Sequence, residues 1–414
     1  MTKKNKRKSL LKNTIMLYLL TFSTYLISFI LVPYQTRVLL PEKYGILSVA
    51  TAVMTYFQLV IDFGFLLSAT EEVSLNRDDK KKLSKIFTSI TTDKILLSLM
   101  CFIVLFVLCG VIKQWKENGV FFLLTFIATM LGSLIPDYLY RGLEKMEAIT
   151  IRTVAIKVFF ATMVFVFVKK PEDYYIIPVL NIIGNSIALL FVYAHLYFKL
   201  NIKFVKFNIE DLLRSFKTSA IFFLSRIATT VYTVTNTVIL DFVFGSATAG
   251  YYASADKLIS TAKSGVAPIT DSLYPYMVKN KDFKLVKKIL LIIEPLIIIA
   301  CTIVFIWAKP LCIWFFGVEY ADVAPILRSM LPIAVIVFPN YIFGFPVLGA
   351  MGLNKYANYS IFVATAMHIL ILLVLYFTNT LNAVTLGVAT SISECVVLIY
   401  RISVVIKYSK RGKM

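Results

Sequence analysis

Runs of about 20 apolar residues, the length needed for one helix to cross a bilayer, recur from end to end of this 414-residue chain. "ILLIIEPLIIIACTIVFIWA" (Ile289 to Ala308) is one of them. About twelve can be marked between charge clusters and turn residues: Thr14 to Val32, Ile46 to Ala69, Ile86 to Ile112, Val120 to Leu139, Ile149 to Val168, Tyr174 to Phe198, Thr218 to Leu240, Thr248 to Tyr276, Ile289 to Ala308, Val323 to Leu348, Ala357 to Phe377 and Val384 to Ile406. The eighth is the weakest by hydropathy. With 59% apolar residues and a mean hydropathy of +0.80, the chain belongs in lipid rather than among soluble enzymes.

A formal charge of +20 raises the question of nucleic acid, but the basic residues alternate from one connection to the next. If the N terminus is inside, 29 Lys and Arg fall in inner segments and 7 in outer ones. The inner groups include Lys3 to Lys12, Arg77 to Lys85, Lys199 to Lys217, Lys279 to Lys288, and Lys407, Lys410, Arg411 and Lys413. That bias marks cytoplasmic loops, so both termini are expected in the cytoplasm and nucleic acid is not a partner. The first run is too long for a cleaved leader, and "PYQTR" follows it in place of a small-residue cleavage site.

Five cysteines form no C-x-x-C pair, and the two histidines, His195 and His368, stand far apart. No metal site and no cofactor is expected. There is no phosphate-binding G-x-x-x-x-G-K-[ST] loop. The connections are too short for a soluble domain, and the carboxylates are scattered singly across the spans. No catalytic residue is assigned, and the chain reads as a non-enzyme.

Two halves are expected, 1–206 with six helices and 207–414 with six more. "TRVLLPEKYGILSVA" (Thr36 to Ala50) and "ILDFVFGSATAGYYASA" (Ile239 to Ala255) support a repeat: each ends an outward helix and re-enters through a Tyr/Gly pair. The expected fold is an all-α integral membrane protein of about twelve transmembrane helices in two halves of six.

The eighth run carries Asp256, Lys257, Lys263 and Asp271. A charge at the centre of a spanning helix costs about 2.5–3.5 kcal/mol on insertion scales, so such residues face a bundle interior or a wet cavity. At helical spacing Asp256, Ser260, Lys263, Ala267, Asp271 and Tyr274 share one stripe, with Lys257 at its edge, and Gly265 and Pro268 predict a bend. Arg226 lies inside the preceding helix. Lys263 and Arg226, with Lys257 and Arg37 as further candidates, would attract an anion such as a diphosphate. The alternative is that they neutralise carboxylates such as Asp241 and Asp256. Arg37 and Lys157, nearer helix ends, have the reach to snorkel. Glu394 either binds a coupling proton or pairs with Arg401 one helical stripe along, and the pairing is the favoured reading.

"VPYQTRVLLPEKYGILSVA" (Val32 to Ala50), "DFGFLLSATEEVS" (Asp62 to Ser74), "PDYLYRGLEKMEAITIR" (Pro136 to Arg152), "GYYASADKLISTAKSGVAPITDSLYPYM" (Gly250 to Met277) and "GLNKYANYS" (Gly352 to Ser360) resemble signature stretches of the Wzx-type O-antigen and capsule repeat-unit flippases. These belong to the multidrug/oligosaccharidyl-lipid/polysaccharide exporter superfamily. One departure stands out: members often carry a base after "SAT", where this chain has Glu71 and Glu72.

The resemblance implies that the two halves are six-helix lobes around a central cavity, and translocation of undecaprenyl-diphosphate-linked oligosaccharide across the bacterial inner membrane. Its implied partners are that lipid-linked glycan, the bilayer, a polysaccharide polymerase and a chain-length regulator, with H+ or Na+ as a coupling ion. Asp62, Asp137 and Arg141 match motif positions near inner helix ends and are expected to form a gate of carboxylate–guanidinium pairs; Asp256, Asp271 and Glu394 join them as coupling candidates. Tyr232, Tyr252 and Tyr274 are candidates to stack on sugars. A drug exporter of the same superfamily and a membrane-embedded glycan polymerase or ligase are the alternatives.

Overall fold

The structure, a computed structural model, describes residues 3–206 and 209–409, without the side chains of 3–14, 17, 221, 224–225, 228–229 and 232–233. Tyr232, the lysines and arginine before residue 14, and Lys410, Arg411 and Lys413 therefore lie outside the described side chains. The chain is helical throughout, with no strand among the described residues.

The first helices in chain order are α1 (Lys3–Asp62), α2 (Phe65–Leu75), α3 (Lys80–Val111), α4 (Lys113–Lys116), α5 (Gly119–Ser133), α6 (Asp137–Gly142), α7 (Met146–Phe167) and α8 (Ile176–Ala194). There follow α9 (Ile209–Phe244), α10 (Ser246–Asn280), α11 (Phe283–Ile306), α12 (Ala308–Phe316), α13 (Val323–Ile342), α14 (Asn354–Phe377) and α15 (Ala383–Ser409). Among the described residues nine stretches are long and apolar enough to cross a membrane. The first, Tyr18–Leu75, holds two of the expected runs. α10 is not one of the nine, because the polar stripe on it lowers its hydropathy. At 35 residues it is nonetheless about 50 Å long, well beyond the roughly 30 Å of hydrocarbon.

These helices group into two compact units, 1–39 with 50–227 and 40–49 with 228–414. The division differs from the expected boundary after residue 206 at two places, and each has a packing cause.

In the first unit, residues 209–227 of α9 stay with the N-terminal helices. Phe223 stacks on Phe63 at 4.4 Å, Phe216 meets the same ring edge-on at 5.2 Å, and Ser219 and Ser68 share a buried hydrogen bond of 2.6 Å. Around them Phe65, Ala69, Val73, Leu83, Phe87 and Leu139 form the core. Gly142 of α6 is pressed against α2, where an added methyl would lie 2.4 Å from Val73. Two of the motif stretches noted in the sequence are thus packed on each other.

The second unit takes residues 40–49 through a glycine contact. α1 bends at Leu40 (φ 60°, ψ 169°), directly before Pro41, whose ring excludes the helical conformation from the residue ahead of it. Beyond the bend, Gly45 meets α10: a methyl on Gly45 would lie 1.7 Å from the Ser246 carbonyl oxygen, and one on Gly250 2.7 Å from that of Pro41. Without side chains the two backbones close to a distance where dispersion and carbonyl contacts hold helices together in lipid. Tyr44 completes the contact edge-on to Tyr320 at 6.3 Å. The two segments read as repeats are therefore partners in space.

α11 is the lipid-facing helix of this unit. Its apolar window has none of its residues buried, and Leu291, Leu296 and Ile299 are all more than half exposed.

Filling the glycine contact has a measurable cost. Gly250→Val is expected to lower stability by about 1–3 kcal/mol, the usual range for overpacking, read as a lower unfolding temperature of the detergent-solubilised protein. Gly265→Val, where an added methyl meets nothing within 4 Å, is expected to have a much smaller effect.

Candidate functional site

Lys263, halfway along α10, donates to Glu394 of α15 at 3.0 Å; the lysine side chain is 22% exposed and the glutamate 6%. The other carboxylate oxygen of Glu394 accepts from the Asn340 amide at 2.9 Å, and that amide also donates to the Glu394 backbone carbonyl at 3.1 Å. The pair is thus one buried carboxylate held between a cation and an amide from two other helices. Asp256, one face-repeat earlier on α10, is half-buried with Lys263 and Lys257 as its charged neighbours.

The expected partner of Glu394 is Arg401; its ion pair here is with Lys263, and Arg401 makes other contacts. Arg401 donates to the Asn340 carbonyl at 2.5 Å, to Ser360 Oγ at 2.9 Å and to the Ala357 carbonyl at 3.3 Å. Gly344 leaves helical geometry after α13 (ψ −121°), and at this break the Asn340 carbonyl, which accepts from the Phe343 N–H, has a second lone pair for another donor. The guanidinium takes that acceptor, with Nη1 so close that a methyl on Gly344 would sit 2.9 Å away. Arg401 closes a helix break, leaving Glu394 to Lys263.

A second polar cluster lies in the same unit. His368 is fully buried and bridges Ser393 and Asn236 at 3.0 Å each, while Asn236 donates to Tyr252 and Thr390 at 2.8 and 2.9 Å. Tyr252 is thus committed to packing polar groups inside the unit. Tyr274 is half-buried against Gly349 and Phe345.

In the first unit the expected Asp62–Arg141 gate is replaced by two other pairs. Asp62 accepts from Lys94 at 2.8 Å, and the same ammonium donates to the Ser133 carbonyl at 2.6 Å. Asp137 pairs with Arg152 at 2.6 Å. Arg141 is on α6 with Asp137, and its Nε is buried without a hydrogen bond. The short α6 and the turn after it bring Arg152, 15 residues along, back over Asp137.

Arg226 and Arg37 are exposed side chains of the first unit, and Asp271 is exposed on α10 of the second. Among the described residues no group of three or more His, Cys, Asp or Glu has metal-site geometry.

Sequence reasoning passed over three residues. Asn340 holds Glu394, and its setting in "FPNYIFGFP", an amide among prolines and glycine, was the available signal. Asp93 is fully buried and accepts from Ser215. Glu294 lies in the lipid-facing α11 with one carboxylate oxygen buried and unbonded.

Residues 10–281 match the family described as polysaccharide biosynthesis protein. The chain belongs to that family. It is 24% identical to a putative O-antigen transporter of Escherichia coli (strain K12), over 94% of this chain and 95% of that one. A putative O-antigen transporter of Shigella dysenteriae is 29% identical over 67% of this chain and 70% of its own. In fold it is similar to the lipid II flippase MurJ in an inward closed conformation, with a TM-score of 0.68 at 14% identity, covering 94% of this chain and 87% of that one. An inward-facing multidrug resistance MATE family transporter of the MOP superfamily gives 0.66 at 12% identity, covering 95% and 94%. The family member described here is a multi-pass membrane protein with the fold of that superfamily.

The Lys94–Asp62 pair is testable by a double-variant cycle. Lys94→Met alone leaves a half-buried carboxylate unpaired and is expected to cost up to about 3 kcal/mol, whereas Lys94→Met with Asp62→Asn removes both charges and recovers most of that loss. Thermal unfolding in detergent reads both.

Proposed function

We propose that this chain is a flippase of the bacterial inner membrane that carries undecaprenyl-diphosphate-linked oligosaccharide repeat units from the inner to the outer leaflet by alternating access, for O-antigen or related surface polysaccharide. The observation that carries the reading is Lys263, an ammonium at mid-helix in the membrane whose counter-ion is one buried carboxylate, Glu394, at 3.0 Å. A cation placed there serves an anion that must itself enter the membrane. The likeness to two putative O-antigen transporters, over 94% of this chain for one and 67% for the other, supports a polysaccharide cargo.

The physical task is narrow. A sugar-diphosphate head group cannot enter hydrocarbon unaided, while a polyprenyl tail stays in lipid, so only the head needs shelter. In this reading twelve helices span the bilayer with both termini cytoplasmic. Lys263 and Arg226 receive the diphosphate, with Lys257 and Arg37 widening the positive field, and the two halves rock to release it outside. Glu394 is the resting counter-ion of Lys263, displaced when phosphate oxygens arrive. Asp62 and Asp137 belong to the structural pairs that keep the first unit rigid, Arg141 adds a positive charge beside them, and Asp256 and Asp271 set the charge balance along α10. The product passes to a polymerase on the outer face.

Cells depleted of the chain are expected to accumulate lipid-diphosphate-linked repeat units on the inner leaflet. Wild type rescues them, and Lys263→Ala lowers the flux at least about tenfold, the loss of one charge-assisted contact. Transport left intact by Lys263→Ala and Arg226→Ala would point instead to a drug exporter with an acid-lined site. Cysteines placed at 226 and 263 should react with a membrane-impermeant thiol reagent from at least one side; protection from both sides would leave no passage for the head group.

A further inference from the structure

A cavity of about 470 Å³ opens within the first unit, between α2, the start of α3 and the first turns of α9. It shares no residue with the Lys263–Glu394 network. Glu71 and Glu72 lie on its wall. With Asp211 they supply three carboxylates, and Lys82, Lys85 and Arg214 supply three cations. One of these ion pairs is already made, Lys85 to Asp211 at 2.9 Å.

The hydroxyls complete the picture. Ser89 lines the cavity, is 5% exposed, and its Oγ makes no hydrogen bond. Ser215, also on the wall, donates to Asp93, whose other carboxylate oxygen is buried and unbonded. A buried hydroxyl without a partner costs free energy unless a ligand supplies one.

We propose that this cavity binds a saccharide. Its wall has no net charge, so an anion is opposed by three carboxylates and a cation by three bases. A sugar hydroxyl is donor and acceptor at once, and it satisfies carboxylate, ammonium and serine together. Ile86 and Ile90 add an apolar patch for the C–H face of a ring. The volume falls within the roughly 300–1,000 Å³ of small-molecule sites. The proposal deepens the transport reading and rests on it for the identity of the sugar: the cavity reads the glycan, and the diphosphate is held elsewhere.

The test uses the full chain in lipid nanodiscs. The probe is the oligosaccharide released by mild acid from the lipid-linked repeat units of the producing cells, titrated by calorimetry, with pyrophosphate titrated in parallel. Glu71 and Arg214 are exposed, so Glu71→Gln and Arg214→Ala should fold normally, and each is expected to weaken oligosaccharide binding about tenfold, the worth of one charge-assisted hydrogen bond. Ser89→Ala, which removes only the hydroxyl, should weaken it too, while binding of undecaprenyl diphosphate is unchanged in all three. No oligosaccharide binding by the wild type, or equal binding by Glu71→Gln and Arg214→Ala, overturns the proposal. So does pyrophosphate binding that is lost in Arg214→Ala, which marks an anion site. Failure of the transport reading shows separately: depleted cells would keep their surface polysaccharide and accumulate no lipid-linked units.

Discussion

Hydrocarbon offers an ionised side chain no water, so each buried charge here must find a partner inside the protein, and that requirement organises both units. Lys94 draws Asp62 and the end of α5 to α3. Lys263 draws α15 to α10, and Asn340 brings α13 to the same carboxylate. Arg401 is spent on a broken helix end. Helices with greasy flanks gain little by touching one another in lipid, so these few polar contacts and the close glycine approaches specify which faces meet.

The glycines do the complementary work. Gly45 against Ser246 and Gly250, and Gly142 against Val73, are places where the absence of a side chain is the contact. Both lie in stretches that drew attention in the sequence as motifs, although their role there is packing. The bend at Leu40, set by Pro41, is what carries the glycine-bearing segment of α1 into the second unit.

These constraints leave an intramembrane cation with a counter-ion that is tightly held but replaceable. Glu394 neutralises Lys263, which spares the protein an uncompensated intramembrane charge; in the proposed function the same ion pair would make an arriving diphosphate an exchange of anions rather than a new burial. The sugar-compatible cavity in the first unit is of the opposite character, balanced in charge and rich in hydroxyls. A carrier of a bipartite head group has use for both kinds of site.

The placement of most spans, the membrane location and the polar stripe on α10 were legible in the sequence, because burial in lipid demands long apolar runs and helical spacing alone fixes which residues share a face. Partner choice was not. Glu394 lies one stripe from Arg401 and 131 residues from Lys263, and sequence proximity favoured the arginine, which in the fold donates to the Asn340 carbonyl at the end of α13. Asp62 and Arg141 each occupy a motif stretch near an inner helix end, yet it is Lys94 on α3 that pairs with the carboxylate. Local composition therefore determined what each helix is and which of its faces is polar. Only the tertiary fold decided which charge neutralises which, since that depends on where distant backbones break and how closely glycines let them approach.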